Sequence, residues 1–366
     1  MDVTDIKSAN VRKVLDTLRF SSGMTKRDIA AETNLSFSTV SNICNDLQNS
    51  DILYEVKSSG ISIGRTPDKF HFYSSKFCSI CVELQQENLL RLSVLDFANN
   101  RLFQSQLAVT AADDAARWVE FIYETQQHLL GSPLFQNVEF AGVGISIPGI
   151  YDRESGRIVN NSYRNINNIR LADMVKAKTG LPCYIENEAN LCAISMAQRH
   201  SGVKNILYLY SSAGLGIGIV CEGNLLRGKN GYAAELSHIP LGNPEIICPF
   251  CGMRGCIEND LAQRGMDVFH FPSLSDAERS TLLQDRGHKL GELLAILVNL
   301  FDPQAIYIGG SALENYPLLA PYVSDVLSRR CRLSYGRGLY IEHDLDSAKT
   351  IQNGINQIVY ENWYPL

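Results

Sequence analysis

The chain has 366 residues, which is too long for one ordinary core and predicts two or three domains. Hydrophobic residues make up 45% and charged residues 20% of the composition, which excludes a disordered chain, and no apolar run is long enough to cross a membrane. The net charge of −6 argues against a nucleic-acid contact over the whole surface, so any such contact must be confined to one part of the chain.

The charges are distributed unevenly along the chain. Residues 1–73 hold nine Lys and Arg against nine Asp and Glu, whereas the remaining 293 residues hold 24 against 30 and carry the whole net charge. We therefore expect no direct contact of the acidic remainder with nucleic acid. The first residues lack the basic and apolar regions of a secretory signal, and most of the ten cysteines are scattered among apolar neighbours, so we expect a cytoplasmic protein.

Three short helices are predicted within the first fifty residues. Apolar residues recur at helical spacing from Val11 to Leu18, which indicates an amphipathic helix. Thr25 and Asp28 have the spacing of a capping box and start a second helix, which ends near residue 32. Ser36 is placed to cap a third helix. Two helices joined by a short turn predict a helix-turn-helix.

The third helix carries an apolar stripe on one face and small polar residues on the other. Small polar side chains let a helix enter the major groove and bond to base edges or phosphates. Residues 52–56 and 69–73 alternate like the strands of a hairpin, which would make this region a winged helix. The residues predicted to contact DNA are Ser36, Ser38, Thr39, Ser41, Asn42 and Asn45 on the helix, with Lys57 and Arg65 on the wing.

Strands and helices alternate in the rest of the chain. Residues 74–76 are the predicted linker. The predicted strands are 77–84, 89–95, 101–109, 138–147, 181–185 and 305–310, with a hairpin at 205–221, and the predicted helices are 115–130, 188–200 and 287–301. Two lobes of sheet and helix with a cleft between them are the simplest architecture for this order.

Four metal-binding side chains lie close together between residues 235 and 258. His238, Cys248, Cys251 and Cys256 are the ligand types of a closed tetrahedral zinc site, and the intervening Gly252 and Gly255 permit tight turns. Glu235 and Glu258 flank the cluster. The zinc could serve only as a structural staple, or the two glutamates and His238 could in addition bind a polar ligand.

This segment resembles the signature of the ROK family, which comprises repressors, open reading frames and sugar kinases. In the family, a Cys-x-Cys-Gly-x-x-Gly-Cys-x-Glu segment begins ten residues after the histidine of a Glu-x-Gly-His segment, and His238 and Cys248 have that spacing. Two departures are Ser237 in place of the glycine and one extra residue between the first two cysteines. The resemblance implies an actin-like, sugar-kinase-like (ribonuclease H-like) fold of two α/β lobes with a sugar in the cleft.

The same resemblance assigns the sugar-binding residues. Glu235, His238 and Glu258 would bind sugar hydroxyls, with His238 touching both the metal and the sugar. The family's second sugar-binding segment is Glu-Asn-Glu-Ala-Asn here, at residues 186–190, and it adds Asn187 and Glu188. Glu188 replaces the aspartate that serves as general base in the kinases, and its extra methylene can misplace a base by more than catalysis tolerates.

The first phosphate-binding turn of the family's kinases is altered in this chain. Residues 83–88 read Glu-Leu-Gln-Gln-Glu-Asn, with no glycine and two carboxylates, so a phosphate would meet like charge. Two other glycine segments, at 212–218 and 309–310, are retained, although glycines also serve tight turns and close packing. The Gly-Arg-Thr-Pro at 64–67 is similar to the end of the wing in ROK repressors.

These features together predict a sugar-responsive transcriptional repressor that does not phosphorylate its ligand. Residues 1–73 would bind operator DNA, and residues 77–366 would bind a sugar or sugar phosphate, with one lobe at 77–187 plus a C-terminal helix and the other at 188–350. We expect a structural Zn²⁺ and a homodimer, or a tetramer, without membrane contact. An ATP-dependent sugar kinase and a regulator that has lost its ligand remain the alternatives.

Overall fold

A computed structural model describes residues 3–57, 68–85, 88–110, 113–159, 166–200, 202–267 and 274–364. Arg65, the rest of the wing tip and residues 86–87 of the altered phosphate turn lie outside these ranges. None of the helices in the described ranges has both the length and the apolar character needed to cross a membrane.

The N-terminal region forms three helices and a hairpin, as predicted. Its elements are α1 (Val3–Arg19), α2 (Lys26–Thr33), α3 (Phe37–Asn49), β1 (Leu53–Val56) and β2 (Lys69–Phe72), and the two strands pair antiparallel. Thr25 and Asp28 form the predicted capping box, and the Ser36 hydroxyl accepts a hydrogen bond from the amide of Thr39. These caps satisfy backbone amides that the first turn of a helix leaves unpaired.

The first lobe is built on a five-stranded sheet in the order β5-β4-β3-β6-β9, in which β6 and β9 run parallel to β3. A two-stranded hairpin, β7-β8, lies beside it. The elements are β3 (Phe77–Gln85), β4 (Leu89–Asp96), β5 (Arg101–Ala108), α4 (Ala115–Leu130), β6 (Glu139–Ile147), β7 (Ile150–Asp152), β8 (Arg157–Val159), α5 (Leu171–Thr179) and β9 (Cys183–Asn187). Strand β9 begins at Cys183, two residues later than the predicted start at residue 181, because Pro182 cannot donate a ladder hydrogen bond.

The second lobe has a sheet in the order β12-β11-β10-β13-β14. Its elements are α6 (Glu188–Arg199), β10 (Ile206–Ser211), β11 (Leu215–Cys221), β12 (Asn224–Leu225), α7 (Glu258–Leu261), α8 (Gln263–Met266), α9 (Asp276–Phe301), β13 (Ala305–Gly309), α10 (Tyr316–Arg330), α11 (Arg332–Gly336) and β14 (Tyr340–His343). The predicted start of α9 at residue 287 is wrong. Ser275 and Glu278 form a capping box that extends the helix by eleven residues with a polar first half.

The last helix, α12 (Ser347–Asn362), returns from the second lobe to the sheet of the first. It crosses α6 so closely that a Cβ at Gly354 would lie 2.2 Å from the carbonyl oxygen of Leu191. The side-chain Nδ2 of Asn356 donates to the carbonyl oxygen of Asp96, and the Oδ1 of Asn356 accepts a hydrogen bond from the hydroxyl of Ser79. This helix therefore holds both lobes together.

The N-terminal region packs directly on the first lobe and on the end of α12. Phe72, Phe77, Phe97 and Trp363 stack in one aromatic group that belongs to the same buried cluster as the apolar faces of α1 and α3. Residues 74–76, the predicted linker, form a single 3-10 turn between these two parts. One buried cluster thus runs across the predicted boundary between residues 73 and 77. The domain boundaries themselves stay predictions.

Candidate functional site

The cysteine and histidine cluster has the geometry of a metal site. The side-chain donor atoms of His238, Cys248, Cys251 and Cys256 all lie within 4.8 Å of one another. The Sγ atoms of Cys251 and Cys256 are 3.4 Å apart, and His238 Nδ1 is 3.6 Å from Cys248 Sγ. Ligand bonds of about 2.0–2.3 Å place the corners of a zinc tetrahedron about 3.5–3.8 Å apart, so these four residues fit the ion.

The loop that carries the thiols turns at two glycines. Gly252 and Gly255 have φ values of 73° and 77°, which L side chains rarely adopt. The amide of Cys248 donates to the carbonyl oxygen of Met253 at 2.8 Å, which closes the loop. The extra residue before Cys251 is accommodated, and a backbone hydrogen bond from Met253 lowers the pKa of the Cys251 thiol.

Glu258 connects this cluster to the second lobe. Its Oε2 lies 3.9 Å from His238 Nδ1, and its Oε1 accepts a hydrogen bond from the amide of Leu215 at the start of β11. Burial raises the pKa of Glu258, and the Leu215 amide and His238 oppose this change. Burial raises the pKa of Glu235, and the nearby Glu258 raises it further. The structure therefore places Glu258 beside His238, with Glu235 within electrostatic range of Glu258.

A cavity of about 440 Å³ opens between the lobes. Glu83 and Ser146 line it from the first sheet, Ser212 and Gly310 line it from the second lobe, and the start of α12 closes one side. Glu188, predicted to bind sugar, is also part of its wall. The other predicted sugar-binding residues, Asn187, Glu235, His238 and Glu258, are not among the described residues that line this cavity.

Two carboxyl groups, those of Glu83 and Glu188, line this cavity. Burial, with a smaller effect of the nearby Glu83, raises the pKa of Glu188 to about 8. Glu83 itself is buried, accepts a hydrogen bond from Gln352 on α12 at 2.9 Å, and pairs with Arg91 at 3.0 Å. Burial raises the pKa of Glu83 in spite of these partners. Because the cavity favours the neutral form of Glu188, this side chain can donate as well as accept a hydrogen bond near neutral pH.

Close packing accounts for the glycines of the two retained phosphate segments. A Cβ at Gly218 would lie 2.2 Å from the carbonyl oxygen of Ala189, and one at Gly216 would lie 3.0 Å from the Ala189 Cβ, so β11 touches α6. A Cβ at Gly310 would lie 2.0 Å from the carbonyl oxygen of Ser211. These glycines are required whether or not a phosphate binds beside them.

The sequence did not indicate a network around Glu186. This buried carboxylate accepts hydrogen bonds from Asn190 Nδ2 and Arg227 Nε, both at 2.9 Å, and forms an ion pair with Arg153. The side chain of Asn187, predicted to bind sugar, caps α6 by accepting from the amide of Asn190. Arg227 lies 41 residues from Glu186, so no local pattern could reveal the pair.

The predicted DNA-binding face of α3 is exposed. Val40, Ile43, Cys44 and Leu47 are buried on the inner side. Of the predicted contacts, Ser36, Ser38, Asn42 and Asn45 are exposed, Thr39 and Ser41 are partly exposed, and Lys57 is exposed at the end of β1.

Lys26, which the sequence reasoning missed, lies next to this face. Its Nζ donates to Asn45 Oδ1 at 2.8 Å and to Ser41 Oγ at 3.2 Å. It follows the cap Thr25 and therefore begins α2, where its four-carbon stem can reach α3. A lysine at the start of the first helix of a helix-turn-helix is the signal that could have indicated a phosphate contact.

Two α/β lobes with five-stranded sheets on either side of a cleft define the actin-like class that includes the sugar kinases, and here a winged helix-turn-helix precedes them. Residues 94–335 match the model of the ROK family, and the chain belongs to that family.

Proteins named as repressors and proteins named as sugar kinases are both similar to this chain. It is 24% identical over 388 aligned positions to the xylose repressor of Bacillus spizizenii, with 100% of this chain and 99% of the repressor covered. It resembles the crystal structure of a ROK family transcriptional regulator, a homologue of the Mlc protein of Escherichia coli, with TM-score 0.81, 20% identity and 97% of both chains covered. A ROK hexokinase from Thermus thermophilus has TM-score 0.63 and 22% identity, and covers 78% of this chain and 98% of its own.

Proposed function

We propose that this protein is a sugar-responsive transcriptional repressor that binds a carbohydrate in the cleft and does not phosphorylate it. The observation that carries the proposal is the winged helix-turn-helix joined by a continuous core to a ROK domain. The similarity to a xylose repressor extends over the whole chain, whereas the hexokinase leaves about a fifth of it unmatched.

Operator binding rests on the outer face of α3. Asn42 and Asn45 can bond to base edges, whereas Lys26 and Lys57 would neutralise phosphates. Contact with a phosphate would draw Lys26 away from Ser41 and Asn45, which would free those side chains for the groove. One winged helix buries too little surface for tight operator binding, so a homodimer is part of the proposal.

The sugar site combines two groups of residues. One group would be Glu235, His238 and Glu258, of which Glu258 Oε2 lies 3.9 Å from His238 Nδ1. The other would be Asn187, which caps α6, and Glu188, its first residue. Carboxylates accept hydrogen bonds from sugar hydroxyls, and a neutral Glu188 would donate one in addition.

A structural Zn²⁺ would be held by His238 through Nδ1 and by Cys248, Cys251 and Cys256. The ion would fix the orientation of the imidazole and leave its Nε2 free to bond to a sugar hydroxyl. His238 Nδ1 is the ring nitrogen that lies 3.6 Å from Cys248 Sγ, which supports this assignment.

The cleft provides poor conditions for phosphoryl transfer. Glu83, which lines the cavity, is buried where a kinase of this family places its first phosphate turn. Close packing accounts for the remaining glycines. Glu188 is one methylene longer than the aspartate that serves as general base in the kinases, which would displace its carboxyl from the reacting hydroxyl.

Helix α12 gives the sugar a route to the DNA-binding region. Near its start, Gln352 bonds to Glu83 in the cavity. Near its end, Gln357 accepts from Arg19, and Tyr360 donates to Asp16 at 2.8 Å, so both contacts reach α1. A sugar that prefers one arrangement of the lobes would shift α12 and with it the DNA-binding region.

Operator binding is tested with DNA from upstream of the chain's own gene. We expect a specific gel shift that Asn42→Ala weakens about 10-fold, since a bidentate base contact contributes about 1–3 kcal/mol. Glu124→Gln, on the exposed face of α4, is the control. Equal binding to unrelated DNA would contradict the proposal.

Ligand binding is tested by thermal shift against free and phosphorylated sugars, beginning with xylose. A sugar at a hundred times its dissociation constant adds about 2.7 kcal/mol of stability. Release of ADP from ATP with any of these sugars would instead establish the kinase alternative.

A further inference from the structure

The cavity between the lobes has an acidic wall, of which the proposed sugar site uses only Glu188. Its described lining includes Glu83, Glu188, Glu314, Asp344 and Asp346, and no lysine or arginine is among the described residues that line it. Low-dielectric walls of one charge sign concentrate the potential inside a cleft. An anion such as a nucleotide would be repelled, whereas a cation would be attracted.

A buried hydroxyl provides an independent indication of a ligand. Ser146 lines the cavity, its side chain is 1% exposed, and its Oγ has no hydrogen-bond partner among the described residues. On β6, Ser146 pairs with Glu83 of β3, so both side chains project from the same face of the sheet. A buried polar group without a partner is costly unless something in the cavity satisfies it.

The size and the depth of the cavity suit an organic cation. Glu83 and Asp344 are buried in it, whereas Glu314 and Asp346 are exposed. Among the described residues, only the cluster of His238 with the three thiols gathers ligand atoms tightly enough for a metal ion. Carboxylates that are spread over about 440 Å³ match separated ammonium groups better than one small ion.

We propose that this acidic half of the cleft binds an organic cation with primary ammonium groups, separately from the sugar and from DNA. One ammonium group would donate to Glu83 and to the hydroxyl of Ser146 at the floor. A second would lie near Glu314 and Asp346. Because the ligand would touch both lobes and the start of α12, its binding would favour the closed arrangement of the cleft.

The test is calorimetric titration of the full-length protein, without DNA, with spermidine and putrescine as probes. We expect one spermidine per chain, weaker binding of putrescine, and a loss of affinity when NaCl rises from about 50 to about 300 mM. Glu314→Gln should weaken spermidine about 3-fold. Ser146→Ala should weaken it about 5-fold, without breaking an internal hydrogen bond.

A matched control distinguishes binding of spermidine in the cavity from non-specific attraction to an acidic protein. Glu124→Gln removes the same charge from the exposed face of α4 and should leave the affinity unchanged. An equal loss in all three variants would overturn the proposal. Tight binding of Mg²⁺ that displaces spermidine, or binding of ATP in its place, would also overturn it.

Discussion

The substitution Glu188→Gln tests the electrostatics of the cleft through the pH dependence of stability. The cavity raises the pKa of Glu188 to about 8, from an ordinary value of 4.5. The native protein therefore keeps this proton over a pH range in which the unfolded chain has lost it. Because the native state binds more protons, the free energy of unfolding falls as pH rises between these two values. The glutamine of Glu188→Gln stays neutral at every pH, so the free energy of unfolding of this variant does not show this fall.

The size of the change in unfolding free energy follows from the size of the pKa shift of Glu188. Each unit of pKa corresponds to about 1.4 kcal/mol, so the difference between the two pKa values corresponds to at most about 4 kcal/mol at pH 8. The variant should match the wild type near pH 5 and gain stability over it by about 3–4 kcal/mol as pH rises to 8. Glu83 contributes to the shift, so in a Glu83→Gln background the gain should be smaller and should end at a lower pH, whereas the pH at which it begins is set by the unfolded chain and stays the same.

The measurement is urea unfolding at several pH values between 5 and 8, without added sugar. Protonation of the metal-binding side chains at low pH affects the variant and the wild type equally, so it cancels in the difference between their free energies of unfolding. Glu124→Gln serves as the control for removal of an exposed carboxylate. A difference between Glu188→Gln and wild type that stays within about 0.5 kcal/mol over the whole pH range would refute the reasoning.

Three further predictions concern packing and the metal site. Trp363→Ala should lower the free energy of unfolding by about 3–5 kcal/mol and weaken operator binding, because its ring fills the contact between the first lobe and the DNA-binding region. Gly218→Ala should lower the thermal midpoint, since its Cβ would meet the carbonyl oxygen of Ala189 at 2.2 Å. Cys256→Ser should abolish bound zinc, as measured by metal analysis, and lower the thermal midpoint, whereas Cys221→Ser should keep the ion.

Each of these three has an outcome that would contradict it. Full operator affinity in a folded Trp363→Ala protein would show that the aromatic contact does not support the DNA-binding region. An unchanged midpoint in Gly218→Ala would mean that β11 and α6 can separate freely. One zinc per chain in Cys256→Ser would remove this thiol from the ligand set.

Local sequence patterns predicted the N-terminal region and the metal cluster well. Capping residues such as Thr25 and Ser36 act within four positions, and the thiols are joined by a short loop, so the relevant physics is local. The same holds for the start of α6 at Glu188. Only the predicted start of α9 was wrong, because the first half of the helix has no apolar stripe and its capping box at Ser275 was not recognised.

The cavity could not be assembled from the sequence because its wall comes from distant segments. Glu83 and Asp344 are separated by more than half of the chain, and no spacing rule relates them. The contact of Gln357 with Arg19 likewise joins residues 338 positions apart. The role of α12 therefore became visible only when the two ends of the chain were placed beside each other.

The aromatic contact at Trp363 provides an optical probe of the DNA-binding region. The chain has two tryptophans, and the other, Trp118, is buried in the first lobe against the sheet. A Trp118→Phe protein would hold its single indole between the first lobe and the DNA-binding region. The emission wavelength and quenching of that indole would then show, in solution and without a label, whether the DNA-binding region stays packed on the first lobe. The measurement would be made on addition of sugar, spermidine or operator.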